Sequence, residues 1–286
     1  MRERFAPSPT GFLHLGHAFS VLTAWDSAQA NKGEFLLRIE DIDKTRSRLE
    51  FEQSIYDDLA WLGLSWPHPV MRQSERMDQY RLALNILICH GLCYPCLCTR
   101  HDIADALSAP QEGGTSQYGP DGLVYPGTCR HREFAGTGRI HAIRLDMWKA
   151  IAFLGGEQAV NRLTWMETGE NFETRYSLNA QALQNDCGDV VLARRDIGTS
   201  YHLSVVVDDA AQNITNVTRG QDMQNATQIH RLLQSLLGLP TPVYRHHRLI
   251  RDEHGKRLAK RDDARAIRQF RINGATPSDI RHMVGL

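Results

Sequence analysis

Two histidines near the start of the chain are spaced for chemistry on a phosphate. His14 and His17 flank Leu15 and Gly16 where a Pro/Gly-rich loop runs into a predicted helix. Residues three apart share one helix face, and a helix N-terminus carries unpaired N–H groups and a partial positive charge. The pair could stabilise charge on an α-phosphate, with Gly16 allowing close backbone approach. A surface helix with two incidental histidines explains the spacing equally well.

A basic segment near the other end of the chain could complete such a site. The residues are Lys256-Arg257-Leu258-Ala259-Lys260-Arg261, after an extended stretch at 242–250. Lys260 could neutralise a departing pyrophosphate through its charge and position. A solvated basic turn is the commoner meaning of such a run, so this segment alone decides nothing.

Together with their neighbours, the two segments resemble the signatures of class I aminoacyl-tRNA synthetases, in the form used by the glutamyl branch. The stretch 5–11 (FAPSPTG) before His-Leu-Gly-His is similar to the HIGH signature, and 257–261 stands in place of the KMSKS loop, with Ala259 where serine is usual. Further similar stretches are 36–43, 58–64, 72–74, 201–209 and 218–223.

This resemblance implies an enzyme that makes glutamyl-adenylate from L-glutamate and ATP, with Mg as the expected companion ion of ATP. It implies that His14, His17 and Lys260 are catalytic, and that His14, Gly16, His17 and Lys260 bind ATP.

The resemblance also implies a glutamate pocket. Its members are Arg4, Phe5, Ala6, Pro7, Ser8, Glu40, Tyr201 and Arg219. Glutamate has two carboxylates and one ammonium, so Arg4 and Arg219 suit the carboxylates and Glu40 suits the ammonium. The hydroxyls of Ser8 and Tyr201 could add hydrogen bonds. Which arginine takes which carboxylate stays open.

The density of cysteines predicts a metal site. Cys89, Cys93, Cys96 and Cys98 fall within ten residues, which suits thiolates on a metal in a reducing compartment. Spacing favours Cys93-x-x-Cys96, completed from Cys98, His101, Cys129 or His131. The family resemblance instead implies Cys96, Cys98, Tyr125 and Cys129, the set we favour. Four ligands make a closed site, so the expected zinc is structural.

The expected fold class is α/β, a Rossmann-like catalytic domain with a zinc-bearing insertion, short C-terminal helices and no anticodon-binding domain. We divide the chain into 1–92 (first catalytic half), 93–175 (acceptor-binding-like insertion), 176–250 (second half) and 251–286 (lysine loop and terminal helices). Strands are predicted at 4–6, 34–39, 140–145, 189–193 and 214–218. Helices are predicted at 48–62, 79–90, 227–237, 263–272 and 277–284, with a first helix ending at Gly33.

Composition narrows the class of protein further. Apolar residues make up 42% and charged residues 23%, as in ordinary globular proteins, and 33 basic residues balance 33 acidic ones. The chain therefore has no net positive charge that would indicate a nucleic-acid partner, although a local basic surface would not show in the net charge.

The uncharged stretch 5–25 contains prolines, glycines and histidines and is not typical of a targeting segment. We expect a cytoplasmic monomer without a membrane span.

The position of the lysine loop bears on the acceptor. Only 26 residues follow Lys260, fewer than the roughly 100 of a typical domain. Truncation and resemblance together predict transfer of glutamate to the queuosine base in the anticodon of tRNA(Asp). One alternative is a minimal enzyme that charges a tRNA 3′ end. Another is a catalytically silent, zinc-stabilised RNA-binding paralogue, which the presence of His14, His17, Glu40, Arg219 and Lys260 argues against.

Overall fold

The structure, a computed structural model, describes residues 1–108, 118–135, 139–169, 172–250 and 266–286. Its strands are β1 (Arg2–Phe5), β2 (Glu34–Ile39), β3 (Met71–Arg72), β4 (Cys93–Cys96), β5 (Tyr118–Gly119), β6 (Gly122–Leu123), β7 (Ala142–Leu145), β8 (Thr164–Thr168), β9 (Glu173–Ser177), β10 (Val191–Arg194), β11 (Asn216–Gly220) and β12 (Val243–His247). Its helices are α1 (Leu15–Ala30), α2 (Leu49–Trp61), α3 (Met77–Cys89), α4 (Arg100–Ser108), α5 (Met147–Phe153), α6 (Glu157–Val160), α7 (Ala180–Ala182), α8 (Tyr201–Ala211), α9 (Ala226–Leu236), α10 (Ile267–Ile272) and α11 (Pro277–Val284).

Two groups of parallel strands form the catalytic framework. One sheet has the order β1-β2-β3 and the other the order β11-β12-β8-β9, with β9 antiparallel. The two sheets meet where β1 lies beside β11. At this point Thr215 N donates to the Arg2 carbonyl at 3.0 Å. Parallel strands present their carboxyl ends at one edge of a sheet, which is where an open α/β fold places its ligands. The predicted Rossmann-like α/β class is confirmed.

A separate antiparallel sheet, ordered β10-β7-β4, carries the cysteine-rich part of the chain. One of its faces packs into a large apolar core that includes Cys93 and Leu145. A small cluster of Tyr94, Cys96, Tyr125 and Cys129 packs together beside it. The strand β8 lies within 93–175 but pairs with β12 of the second catalytic half. The division into four segments stays a prediction.

The turn after α1 differs from its prediction. We expected Gly33 to cap the helix, but Asn31 is the C-terminal cap and Lys32 takes the left-handed conformation, with φ of 49°. Gly33 is needed for another reason, because a Cβ there would lie 2.6 Å from the carbonyl oxygen of Met1. The glycine thus allows the N-terminus to pass close to the start of β2.

The C-terminal helices complete the core of the first catalytic half. Ile267, Ile280 and Val284 are buried in the same apolar cluster as Phe19, Leu22 and other residues of α1. The α11 helix begins with a capping box in which Thr276 and Asp279 exchange hydrogen bonds. Within the described residues, no helix is long and apolar enough to cross a membrane.

Candidate active site and metal cluster

His14 and His17 form the N-terminal cap of α1. The His14 Nδ1 accepts from Gly16 N at 3.1 Å, and the His17 Nδ1 accepts from His14 N, also at 3.1 Å. A neutral imidazole whose Nδ1 accepts carries its proton on Nε2, so each ring keeps an N–H donor there. The two rings lie 3.9 Å apart between centroids. The structure therefore brings the two predicted histidines together at a helix N-terminus, as donors suited to phosphate oxygens.

Gly16 is required by the packing of His14. A Cβ at Gly16 would lie 2.9 Å from Cε1 of the His14 ring, closer than real Cβ contacts allow. Any larger residue would displace the ring that caps the helix. The packing of the protein itself therefore requires glycine at position 16, in addition to the predicted close approach to a phosphate.

The lysine loop, with Lys260 and Ala259, lies outside the described residues. The residue that follows this segment, Ala266, pairs with His14, and Ile267 N donates to the Leu13 carbonyl at 2.8 Å. The chain therefore returns from 251–265 directly beside the start of the histidine motif.

The loop that follows β1 is fixed against the end of β2. Glu40 N donates to the Pro7 carbonyl at 3.0 Å, and Thr10 N donates to the Ser8 carbonyl at 2.8 Å. Phe5 is buried in the core, and Ala6 follows it into the loop. Ser8, Glu40 and Tyr201 line a cleft of about 1200 Å³ that extends to the insertion. This cleft runs along the carboxyl ends of the parallel strands.

Arg219 is a buried cation held by neutral groups. Its guanidinium donates from Nε to His246 Nε2 at 3.0 Å, from Nη1 to His230 Nδ1 at 3.1 Å and from Nη2 to Thr227 Oγ1 at 2.7 Å. The residue is 7% exposed, and none of the described carboxylates forms a direct ion pair with it. A guanidinium has five N–H donors, so two remain after these three bonds. A buried positive charge with spare donors is suited to a carboxylate ligand.

Arg4 lies beside Arg219 but has an acidic partner. Its Nη1 donates to the carbonyl of Thr218 at 3.3 Å, and its Nε contacts Asp209 Oδ1 at 3.4 Å. Burial raises the pKa of Asp209, but Arg38 and Arg4 outweigh it and hold that pKa below its usual value. Asp209 therefore balances part of the Arg4 charge, whereas the charge of Arg219 has no such direct partner among the described carboxylates.

Glu40 and Tyr201 face the same buried charges. Burial raises the pKa of the Glu40 carboxyl, although Arg38 and Arg4 act in the opposite direction. Burial likewise raises the pKa of Tyr201, so its hydroxyl stays protonated and can donate. A substrate ammonium near Glu40 would favour its ionised form. The structure thus brings Ser8, Glu40 and Tyr201 together in the lining of the cleft, and it places Arg4 and Arg219 near enough for their charges to act on Tyr201.

Arg38 is a residue of this site to which the sequence analysis gave no role. It is fully buried and donates to Asp209 Oδ1 at 2.7 Å and to Glu40 Oε1 at 3.1 Å. Burial opposes its charge, but Asp209, Glu40 and Asp208 together raise its pKa. The sequence did indicate such pairing, because charged residues inside the stretches 36–43 and 201–209 must have charged partners if they are buried.

Three cysteines and a tyrosine converge in the insertion. The sulfur atoms of Cys96, Cys98 and Cys129 all lie within 4.8 Å of one another. The Tyr125 hydroxyl lies 3.4 Å from Cys96 Sγ and 3.3 Å from Cys98 Sγ. The Arg144 guanidinium stacks on the Tyr125 ring at 3.8 Å and holds it in place.

The spacing of these atoms fits a tetrahedral metal ion. Thiolates about 2.3 Å from zinc lie roughly 3.8 Å from one another. The observed Cys98 Sγ–Cys129 Sγ distance is 3.6 Å. Burial raises the pKa of Cys98 to about 11 and also raises that of Tyr125, so a cation is needed to hold both as anions. The cluster could therefore hold a metal.

The alternative ligands lie elsewhere. Cys93 is on β4 three residues from Cys96, and strand residues three apart point to opposite faces. Its side chain lies in the apolar core, where burial raises the pKa of the thiol to about 12. His101 is exposed and contacts Asp105, and His131 is exposed. Spacing alone was thus a poor guide, because it ignored the alternation of β4.

Comparisons with known proteins agree with this geometry. A family model described as tRNA synthetases class I (E and Q), catalytic domain, matches residues 1–286. The chain is 53% identical over 289 residues to a glutamyl-Q tRNA(Asp) synthetase from Rhodobacter capsulatus, covering 100% of both. It is 40% identical over 267 residues to a protein of the same name from Albidiferax ferrireducens, covering 92% of this chain and 85% of the relative.

Solved structures show the same fold. A glutamate tRNA ligase from Elizabethkingia meningosepticum, in complex with its amino acid, superposes with a TM-score of 0.75 at 26% identity. Glutamate-tRNA synthetase from Elizabethkingia anophelis gives the same TM-score and identity. The match covers 100% of this chain but 60% and 61% of those two, so the chain spans about three-fifths of their length. The chain therefore belongs to the class I tRNA synthetases of the E and Q branch and is an ATP-dependent ligase.

Proposed function

We propose that this protein activates L-glutamate with ATP and transfers it to the queuosine base in the anticodon of tRNA(Asp). The observation that carries the activation step is Arg219, a buried guanidinium with spare donors and no direct carboxylate partner among the described residues. A carboxylate of the substrate supplies the missing negative charge. The names of the relatives from Rhodobacter capsulatus and Albidiferax ferrireducens support the acceptor.

The chain's own residues divide the activation step among them. Arg219 and Arg4 hold the carboxylates, Glu40 receives the ammonium, and Ser8 and Tyr201 add hydrogen bonds. The Nε2–H groups of His14 and His17 stabilise charge on the α-phosphate while the substrate carboxylate attacks it. Lys260 neutralises the charge of the departing pyrophosphate, and Mg binds together with the ATP. The products are glutamyl-adenylate and pyrophosphate.

The cysteine cluster holds one structural zinc in this proposal. The ligands are Cys96, Cys98, Cys129 and Tyr125, which leave no open position for catalysis. Such an ion fixes the turn-rich part of the insertion beside the cleft. We propose a monomer that acts in the cytoplasm, where its substrates meet.

The test is glutamate-dependent exchange of pyrophosphate into ATP, without tRNA. Arg219→Ala removes the buried cation, so we expect a loss of kcat/KM for glutamate of about a hundredfold or more. Arg245→Ala on β12, a half-buried arginine outside the pocket, is the matched control and keeps wild-type exchange. Undiminished exchange in Arg219→Ala at low glutamate would remove Arg219 from the pocket.

A further inference from the structure

A chain of hydrogen bonds connects Arg219 with the insertion. Arg219 Nη1 lies 3.1 Å from His230 Nδ1, His230 Nε2 lies 3.1 Å from His202 Nδ1, and His202 Nε2 lies 3.3 Å from Asp121 Oδ1. We call these four residues the relay. His230 and His202 are 1% and 5% exposed, so solvent does not compete for the inner bonds. Asp121 lies in the turn between β5 and β6 and lines the cleft.

The position of every proton in the relay follows from its two ends. A guanidinium only donates, so His230 Nδ1 must accept and the His230 proton sits on Nε2. That Nε2–H donates to His202 Nδ1, which places the His202 proton on Nε2. The His202 Nε2–H in turn donates to the Asp121 carboxylate, which can only accept. The burial of His230 and the nearby Arg219 lower its pKa, in agreement with a neutral ring.

The turn that carries Asp121 is fixed in place. The other carboxylate oxygen, Oδ2, accepts from Val191 N at 3.3 Å. Gly119 in the same hairpin lies so close to the π-helical segment Leu183–Cys187 that a Cβ would meet the carbonyl oxygen of Asp186 at 1.9 Å. The hairpin therefore packs against the second catalytic half, and Asp121 reaches His202 from a defined position.

We propose that Asp121 is a positioning residue for the amino acid, acting through His202 and His230 on the orientation of Arg219. The proposal rests on the proposed function, since it takes Arg219 to bind a glutamate carboxylate. It links the hairpin on the cleft wall, 118–123, to the affinity for glutamate.

The relay depends on a carboxylate at position 121. An asparagine can turn its amide N–H groups toward His202 Nε2, which would then accept. His202 would carry its proton on Nδ1, and His230 would have to receive it on Nε2. His230 Nδ1–H would then face the Arg219 N–H, two donors in contact. Because Asp121 also accepts from Val191 N, the single side-chain oxygen of an asparagine can accept from only one of the two donors. Asp121→Asn therefore turns an amide N–H toward either His202 or Val191, with little change in volume.

The experiment compares Asp121→Asn with Asp186→Asn in pyrophosphate exchange, each over a series of glutamate and ATP concentrations. Asp186 is an exposed acid beside the same hairpin, and both carboxylates act on the nearby Cys187. The control therefore removes the same charge from the same neighbourhood without touching the relay. We expect Asp121→Asn to raise KM for glutamate about fivefold with KM for ATP unchanged, and Asp186→Asn to leave both unchanged.

A second measurement is independent of activity. The ¹⁵N shifts of the His202 and His230 imidazoles report their tautomers, which should both be Nε2–H in the wild type and mixed in Asp121→Asn. The proposal is overturned if Asp121→Asn keeps the wild-type KM for glutamate, or if Asp186→Asn raises it equally. Arg219→Ala, measured in parallel, separates this failure from that of the proposed function. If it also keeps wild-type exchange, the pocket assignment fails.

Discussion

Cys93 and Cys96 lie on one four-residue strand and face opposite sides of it. Cys96 lies with Cys98, Tyr125 and Cys129, whereas Cys93 packs into the apolar core with Leu145 and its neighbours. Two cysteines that look like one metal knuckle in the sequence thus belong to different environments.

This arrangement predicts which cysteine retains the metal. Cys98→Ser should lose most of the bound zinc, because it removes one of three converging thiolates. Cys93→Ser carries the same substitution at a site outside the cluster, and it should keep a full equivalent. Zinc content of the purified proteins, measured by elemental analysis, checks both. Loss of zinc in Cys93→Ser alone would contradict the assignment.

Gly16→Ala tests the contact between the glycine and the His14 ring. Alanine favours a helix by about 0.5–1 kcal/mol over glycine, so the folded state should not be weakened by helix propensity. The displaced His14 ring should nevertheless lower kcat/KM for ATP in pyrophosphate exchange by about tenfold. Thermal unfolding and exchange kinetics on the same sample separate the two effects. Wild-type kinetics for ATP would show that the ring position is unimportant.

The neutral state of His246 predicts a dependence of stability on pH. Burial, followed by the charge of Arg219, lowers its pKa to about 3. Between this value and about 6.5, the unfolded chain binds a proton that the folded protein does not. The free energy of unfolding should therefore fall as pH drops below 6.5, and His246 should contribute about 2 kcal/mol of that fall by pH 5.

The matched variant for this prediction is His246→Gln, which cannot titrate. Its stability should vary less between pH 7 and pH 5 than that of the wild type, as measured by urea unfolding. Comparing the two proteins cancels the contributions of titrating groups that do not contact His246; Glu167, whose Oε1 lies 3.0 Å from His246 Nδ1, is the one that does among the residues described. Parallel curves for both proteins would mean that His246 does not resist protonation.

Arg38 is expected to stabilise the protein through its carboxylate partners. Arg38→Leu leaves Asp208, Asp209 and Glu40 without their central cation, so the free energy of unfolding should fall by about 3 kcal/mol or more. Arg81→Leu removes an exposed arginine paired with Asp78, and it should cost less than about 1 kcal/mol. Urea unfolding of both variants provides the comparison, and equal losses would contradict the central place of Arg38.

Local pattern was sufficient where an element depends on its own residues. The strand Glu34–Ile39 and the helix Pro277–Val284 have the predicted limits, because a compact apolar run and a Thr-Pro start are local signals. The helices predicted at 48–62, 79–90 and 227–237 are each followed by a glycine with positive φ, at positions 63, 91 and 238. The alternation of β4 could also have been recognised, and it would have separated Cys93 from the cluster.

The surroundings of Arg219 could not be predicted in this way. Thr227 and His230 come from α9 and His246 from β12, and these elements meet only after the sheet has formed. Nothing in their spacing along the chain indicates that they share one guanidinium. The roles of the glutamate and ATP residues stay predictions, which the experiments above address.

The identity of the acceptor is tested most directly by transfer of labelled glutamate to bulk tRNA that contains or lacks queuosine. We expect label on queuosine-containing tRNA(Asp) alone, attached to the base, with no transfer to tRNA that lacks queuosine. Label at the 3′ end of a tRNA, formed equally without queuosine, would contradict it and identify a compact charging enzyme.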